Sequence, residues 1–159
     1  MRIYIGADHA GFNLKEKLKA TLQSAGHEIV DKGAFQNDPA DDYPDFMVPV
    51  AQAISQDPER SRGIIIGGSG QGEAMVANRF PHVRAAVYYS PNFDILDLSR
   101  SHNNANILSL AARFLSDEEA VEAVLRWLAA EFSGEQRHTR RLHEIDSVTK
   151  DVCEKYYQL

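Results

Sequence analysis

The chain has 159 residues, of which 43% are hydrophobic and 25% are charged, and its formal net charge is −6. These values predict one globular domain over residues 1–159, and they disfavour nucleic acid as a partner because binding to the phosphate backbone requires a basic face. We find neither a charged-then-apolar leader nor an apolar run near the roughly 20 residues of a membrane span, so we expect a soluble cytoplasmic protein. The single cysteine, Cys153, excludes an internal disulfide and a Cys-based metal site.

Apolar runs alternate with helical periods along the chain. The runs predict short strands at 2–7, 27–31, 62–67, 84–88 and 106–110. The first predicted helix has Leu14, Leu18 and Leu22 on one face and ends at Gly26. Pro44 opens a second helix, whose apolar residues are Phe46, Val48, Val50, Ala51 and Ile54.

Two further helices follow near residues 91–101 and after residue 116. Ser116 and Glu119 form a capping-box pattern, which indicates that a helix begins there. The apolar stripe predicted for that helix consists of Val121, Val124, Leu125 and Leu128.

Five short apolar strands separated by helices predict an α/β fold with a doubly wound parallel sheet, covered by helices on both faces as a Rossmann-like three-layer sandwich. A C-terminal helix is expected at about 135–159, with an interrupted stripe of Leu142, Ile145, Val152 and Tyr156. Because no strand adjoins it in sequence, we expect this helix to pack on a partner subunit.

The segment GGSGQGE at 67–73 forms a glycine-rich turn between the third strand and a helix. Glycines let successive N–H groups converge on an anion, and the helix N-terminus adds partial positive charge. Glu73 is the reactive side chain there besides Ser69, and a loop that only bound phosphate would not need a carboxylate. The segment lacks the Lys-Ser/Thr ending of a Walker loop and follows the third strand, so we expect no nucleotide cofactor.

Ligands of such sheets bind beyond the carboxyl ends of the strands, where Asp8, His9 and Arg113 are also expected. Asp8 could equally be a helix N-cap, and His102, which precedes the fifth strand, could be structural. Arg137 and Arg141 lie four residues apart on one predicted helix face, which suits a phosphate but is equally typical of a solvated face.

Taken together, several segments resemble the ribose-5-phosphate isomerase type B family, which includes galactose-6-phosphate isomerase subunits. They run in order from residue 2 to about 145 and comprise DHAG at 8–11, DYPDF at 42–46, GGSGQGE at 67–73 with AN at 77–78, SHNNAN at 101–106, Arg113 and QRHTRR at 136–141.

The resemblance implies an aldose–ketose isomerase that interconverts ribose 5-phosphate and ribulose 5-phosphate, in the pentose phosphate pathway, without metal or cofactor. It implies a homodimer, or a tetramer, whose active site combines groups from two chains. Glu73 would be the base, His102 would assist ring opening and Asp8 would handle hydroxyl protons. Ser69 and Asn103 would help to stabilise the enediolate, and the substrate and its phosphate would be held by His9, Gly70, Gly72, Arg113, Arg137, His138 and Arg141.

The chain departs from many members of that family at Gly68, where they carry a cysteine base; a second branch carries a glutamate like Glu73. Burial would raise the pKa of Glu73 and the helix N-terminus would lower it, and the sequence does not decide between them. Isomerisation of a six-carbon sugar such as allose or galactose 6-phosphate remains open. A non-catalytic sugar-phosphate or nucleotide-binding module is less compatible with the presence of Glu73, His102 and Asp8 together.

Overall fold

The computed structural model describes residues 1–89 and 91–152, with side chains through residue 148. Its strands are β1 (Arg2–Ala7), β2 (Glu28–Asp31), β3 (Ser61–Gly67), β4 (Ala85–Tyr88) and β5 (Ile107–Ala111). Its helices are α1 (Phe12–Ser24), α2 (Pro44–Gln56), α3 (Gln71–Ala77), α4 (Asp94–Ser101), α5 (Asp117–Ala129) and α6 (Gln136–Val152).

The strands form one sheet in the order β2-β1-β3-β5-β4, and every neighbouring pair is parallel. The predicted parallel sheet is therefore confirmed, with each strand end within one residue of its expected position. All carboxyl ends of the strands consequently lie at one edge of the sheet, and all amino ends lie at the other.

Apolar residues cover both faces of the sheet. Ile64 and Ile66 of β3 belong to a core that includes residues of α1, α4 and α5, whereas Ile65 belongs to a second core with α2 and α3. Successive side chains of a strand point to opposite faces, so a continuous apolar run is what a strand buried on both sides requires. The doubly wound arrangement is confirmed.

The buried faces of two helices differ from what apolar character alone indicates. In α2, Met47 is buried and Val48 is 39% exposed. In α5, Leu125 is 39% exposed, and the buried residues are Ala120, Ala123, Val124 and Trp127. The prediction that Leu125 belongs to the apolar stripe of α5 was wrong because small alanines allow close approach to the sheet while Trp127 fills the core, so apolar character alone does not choose the buried face.

The last two helices, α5 and α6, agree with the sequence to different degrees. Ser116 and Glu119 form the predicted capping box, with the Glu119 N–H donating to Ser116 Oγ at 3.2 Å. Helix α6 leaves Ile145 and Val148 more than half exposed. The side chain of Val152, together with Cys153 and Tyr156, lies outside the described residues. Among the described helices, none is both long and apolar enough to cross a membrane.

Candidate active site

Three segments meet at the carboxyl edge of the sheet. Asp8 follows β1, and its N–H donates to the carbonyl of Ile66 at 3.3 Å. The N–H of Ala112, just after β5, donates to the carbonyl of Gly67 at 2.9 Å. These bonds fix the segments carrying Asp8 and Arg113 on either side of the glycine loop.

The glycine loop brings the Glu73 carboxylate back over the end of β3. A Cβ atom at Gly67 would lie 1.8 Å from Glu73 Oε1, so only glycine leaves room for the carboxylate. Gly70, the N-cap of α3, has a φ of +73°, a conformation that glycine adopts without strain. Its carbonyl accepts a hydrogen bond of 2.7 Å from the Ser109 hydroxyl, which anchors the turn to β5.

The Glu73 side chain is buried, and its carboxylate is only partly hydrogen-bonded. Glu73 is 4% exposed, and none of the described residues hydrogen-bonds its buried Oε2. Burial raises the pKa of Glu73 above its ordinary value, and the negative charge of Asp8 raises it further. Backbone hydrogen bonds and the charge of Arg113 lower the pKa, but burial dominates. The carboxylate is thus more basic than that of an exposed glutamate.

Asp8 and Ser69 border the same loop. Asp8 is 6% exposed and does not cap α1, whose N-cap is Gly11. Its Oδ1 instead accepts a hydrogen bond of 3.0 Å from the Gly11 N–H, which holds the carboxylate beside the loop. Ser69 is exposed, and its Oγ accepts a hydrogen bond from the Gln71 N–H at 3.3 Å. Ser69 therefore presents its hydroxyl to solvent at the mouth of the site.

Two side chains from the 32–43 loop also reach this edge. The Asp41 carboxylate is 8% exposed, and its Oδ1 lies 2.6 Å from Nδ1 of His9. The hydrogen bond to Asp41 raises the pKa of His9 above its ordinary value, which favours the imidazolium form. The ring of Tyr43 lies over the loop, since a Cβ atom at Gly72 would be 2.9 Å from its Cζ and hydroxyl oxygen. Sequence reasoning did not single out Asp41, because a partner 32 residues away in a loop leaves no periodic signal.

One cluster at this edge has the composition of a cation site. Asp8, His9 and Asp41 each place one ligand atom within 4.8 Å of the others. A metal ligand must be a neutral imidazole, whereas the hydrogen bond to Asp41 favours the protonated ring of His9. The hydrogen bond to Asp41 thus favours a positively charged His9 ring, and this charge can face an anionic group.

Arg113 completes the carboxyl edge. It is exposed, and its guanidinium lies 3.2–3.3 Å from the position that a Cβ at Gly68 would occupy. Its positive charge lowers the pKa values of both Glu73 and His9, as expected of a cation that shares their site. A cation here is suited to an anion such as phosphate.

The remaining predicted residues lie at the opposite edge of the sheet. Gly63 pairs with Ile107 and Gly67 with Ala111, so β5 begins at the amino edge and ends at the glycine loop. His102 is the C-cap of α4 and precedes β5, whereas Glu73 follows β3. The five residues of β5 alone span roughly 16 Å. One chain therefore does not bring His102 and Asn103 together with Glu73.

The start of α6 joins His102 at that amino edge. Arg137 and Arg141 are both exposed, and Arg137 Nε lies 2.8 Å from Glu135 Oε2. His138 is 2% exposed, and its ring centroid lies 4.2 Å from that of His102. The structure thus separates two exposed arginines from a buried histidine, although sequence reasoning assigned all three to phosphate.

The sequence of the chain was compared with those of known proteins. The family described as Ribose/Galactose Isomerase matches residues 3–145 of the chain. The chain belongs to this family. It is 41% identical to ribose-5-phosphate isomerase B of Mycolicibacterium paratuberculosis over 89% of this chain and 87% of that protein. It is 37% identical to ribose-5-phosphate isomerase B of Escherichia coli over 92% of this chain and 95% of that protein.

Solved structures of the family agree with the fold. Ribose-5-phosphate isomerase B from Mycoplasma genitalium, with bound ribulose-5-phosphate, superposes with a TM-score of 0.90 at 37% identity, covering 94% of this chain and 97% of that one. The enzyme from Clostridium thermocellum superposes with a TM-score of 0.88 at 41% identity, covering 95% of this chain and 99% of that one. The overall fold of this family member is thus that of ribose-5-phosphate isomerases of type B.

Proposed function

We propose that this isomerase interconverts ribose 5-phosphate and ribulose 5-phosphate through an enediolate. Relatives named for that activity cover about nine tenths of the chain, and one related structure contains ribulose-5-phosphate. The observation that carries the assignment of chemistry is the buried carboxylate of Glu73, held over Gly67 with one oxygen unpaired among the described residues. We also assign the reaction to the pentose phosphate pathway of carbohydrate metabolism, in the cytoplasm.

Glu73 is the proposed base. It removes the proton from C2 of the open-chain aldose, and the electron pair of that bond forms the C1–C2 double bond of the enediolate. Return of the proton to C1 leaves the carbonyl at C2, while a hydroxyl proton moves from O2 to O1. Asp8, whose carboxylate lies beside the loop, is the group we assign to that second transfer. C1 is reduced while C2 of the same molecule is oxidised, so the reaction needs no external oxidant or reductant.

The enediolate carries negative charge on oxygen, and the glycine loop is the proposed site of its stabilisation. Backbone N–H groups near Ser69 and Gly70 lie at the start of α3, where the helix adds partial positive charge. Asn103, which is exposed at the amino edge, is proposed to donate a further hydrogen bond. His9 and Arg113 are proposed to hold the phosphate at the carboxyl edge.

We propose a homodimer, or a tetramer built from dimers, in which each active site combines the carboxyl edge of one chain with the amino edge of its partner. The support is the separation within one chain of Glu73 from His102 and the exposed arginines 137 and 141. Helix α6 also leaves Ile145 and Val148 exposed, which suits a helix that packs on another subunit.

Mixing two inactive variants tests the shared site. A Glu73→Gln chain and a His102→Ala chain each lack one essential group, but a mixed dimer contains one site with both intact. Activity should return after subunit exchange, which is verified by mass spectrometry of differently tagged chains. A mixture that exchanges subunits and stays inactive, or a monomeric active enzyme in sedimentation, would refute the shared site.

The reaction itself is tested by incubating the purified protein with ribose 5-phosphate and following ketose formation, with Glu73→Gln as the control for contaminating isomerase. Parallel incubations with allose 6-phosphate and galactose 6-phosphate measure the preference between five- and six-carbon sugars. We expect the highest kcat/KM for ribose 5-phosphate. Inactivity on all three sugars would contradict the proposal and favour a binding module.

A further inference from the structure

Two histidine rings lie against each other at the amino edge of the sheet. The centroids of His102 and His138 are 4.2 Å apart, and the ring planes are inclined by 38°. His138 is 2% exposed, whereas His102 is only half-buried. The buried ring of His138 therefore packs against the more accessible ring of His102.

Ser133 fixes the buried ring to the end of α4. Its hydroxyl lies 2.9 Å from Nδ1 of His138, and it also accepts a hydrogen bond of 3.3 Å from the Glu135 N–H. The N–H of Ser133 donates to the carbonyl of Ser101 at 3.0 Å. Ser101 directly precedes His102, so Ser133 ties the backbone beside His102 to the ring that packs on His102.

The environment of His138 suits this supporting position better than direct contact with phosphate. Burial lowers the pKa of His138 below its ordinary value, and the charges of His102, Arg137 and Arg141 lower it further. The neutral imidazole is consequently favoured, and its Nδ1 is already engaged by Ser133. Arg137 and Arg141, by contrast, are exposed cations available to an anion.

We propose that His138 is a positioning residue that holds the His102 ring in the orientation required to open the furanose ring of ribose 5-phosphate. This inference rests on the proposed function. In that step the O1 hydroxyl loses its proton, the C1–O4 bond breaks as the C1 carbonyl forms, and O4 gains a proton. His102 is the group proposed to serve O4, and its orientation decides whether the proton is delivered along the breaking bond.

Ribulose 5-phosphate provides a test that bypasses ring opening. Its O5 carries the phosphate, so the C2 carbonyl cannot close a five-membered ring, and the sugar stays open. Exchange of its C1 protons with deuterated water therefore measures enolisation alone. Conversion of ribose 5-phosphate to the ketose measures enolisation together with ring opening.

The informative variants are His138→Phe, which keeps an aromatic face but removes Nδ1, and Ser133→Ala, which removes the hydroxyl. For both, we expect kcat with ribose 5-phosphate to fall by roughly tenfold to a hundredfold, while exchange in ribulose 5-phosphate keeps its normal rate and KM. Ser133→Thr, which retains a hydroxyl, should restore conversion. Circular dichroism and thermal unfolding check that each variant is folded, and Ser133→Ala serves if His138→Phe does not fold.

Two results would overturn the proposal. Equal losses of conversion and exchange, with KM raised for both sugars as in Arg137→Ala, would show that His138 binds phosphate. Unchanged conversion in folded His138→Phe and Ser133→Ala would show that the ring only packs. Failure of the proposed function is distinguishable from both, because the unaltered enzyme would then exchange no protons of ribulose 5-phosphate.

Discussion

Gly67→Ala should displace the Glu73 carboxylate without removing any charged group from the site. The added Cβ would lie 1.8 Å from Oε1 and 2.3 Å from Cδ of Glu73, whereas ordinary contact begins near 3.4 Å. The carboxylate must therefore move by well over an ångström, since β3 holds the backbone of Gly67 in the sheet. A misplacement of about 1 Å can reduce a rate by roughly a hundredfold, so we expect kcat to fall by at least about that factor.

Steady-state kinetics with ribose 5-phosphate measure this effect, and KM should change little because His9 and Arg113 keep their positions. Gly68→Ala is the matched control, since the nearest atoms to its Cβ would be those of the exposed Arg113 guanidinium, at 3.2 Å. It should retain most of kcat. Thermal unfolding establishes that both variants are folded. A folded Gly67→Ala enzyme with normal kcat would refute the claim that catalysis depends on the position of this carboxylate.

Three other perturbations have defined outcomes. Arg137→Ala and Arg141→Ala should each raise KM for ribose 5-phosphate about tenfold or more, because a charge-assisted hydrogen bond contributes on the order of 1.5–3 kcal/mol. An unchanged KM would show that the two arginines belong to a solvated helix face and do not bind phosphate. The imidazolium of His9, whose pKa Asp41 raises, should hold phosphate until the pH passes that raised value, so in Asp41→Asn the increase of KM with pH should begin at lower pH. Coincident KM profiles would contradict that role of Asp41. Alkylation of Cys153 should leave activity largely intact, and rapid inactivation by iodoacetamide would point to a thiol in catalysis.

The fold follows closely from the sequence because its signals are local. Each strand is a short apolar run, such as the isoleucines 64–66, and both faces of β3 are covered by helices. The start of α5 is equally local, since Ser116 and Glu119 satisfy each other's backbone groups. The buried face of α5 does not follow from a local signal, because the shape of the neighbouring core determines that Ala123 and Trp127 are buried.

For the candidate site, too, local sequence signals place some residues, while others depend on the three-dimensional fold. The order of strands and glycines was enough to place Glu73, Asp8 and Arg113 at one edge and His102 before β5. It did not reveal Asp41, whose partner His9 is brought close only by the fold. It also grouped His138 with the neighbouring arginines, because a helical period does not distinguish a ring that turns toward His102 from side chains that face solvent. The raised pKa of Glu73 depends on burial, which only the three-dimensional structure defines.

The central claim is that Glu73 transfers the proton between C2 and C1. The most direct measurement is solvent-deuterium exchange at C2 of ribose 5-phosphate by the Glu73→Gln enzyme, which keeps the shape of the side chain and removes the base. We predict that exchange falls roughly 10²–10⁴-fold, as is typical for loss of a positioned general base, with little change in KM. Exchange at the rate of the unaltered enzyme would show that Glu73 is not the base.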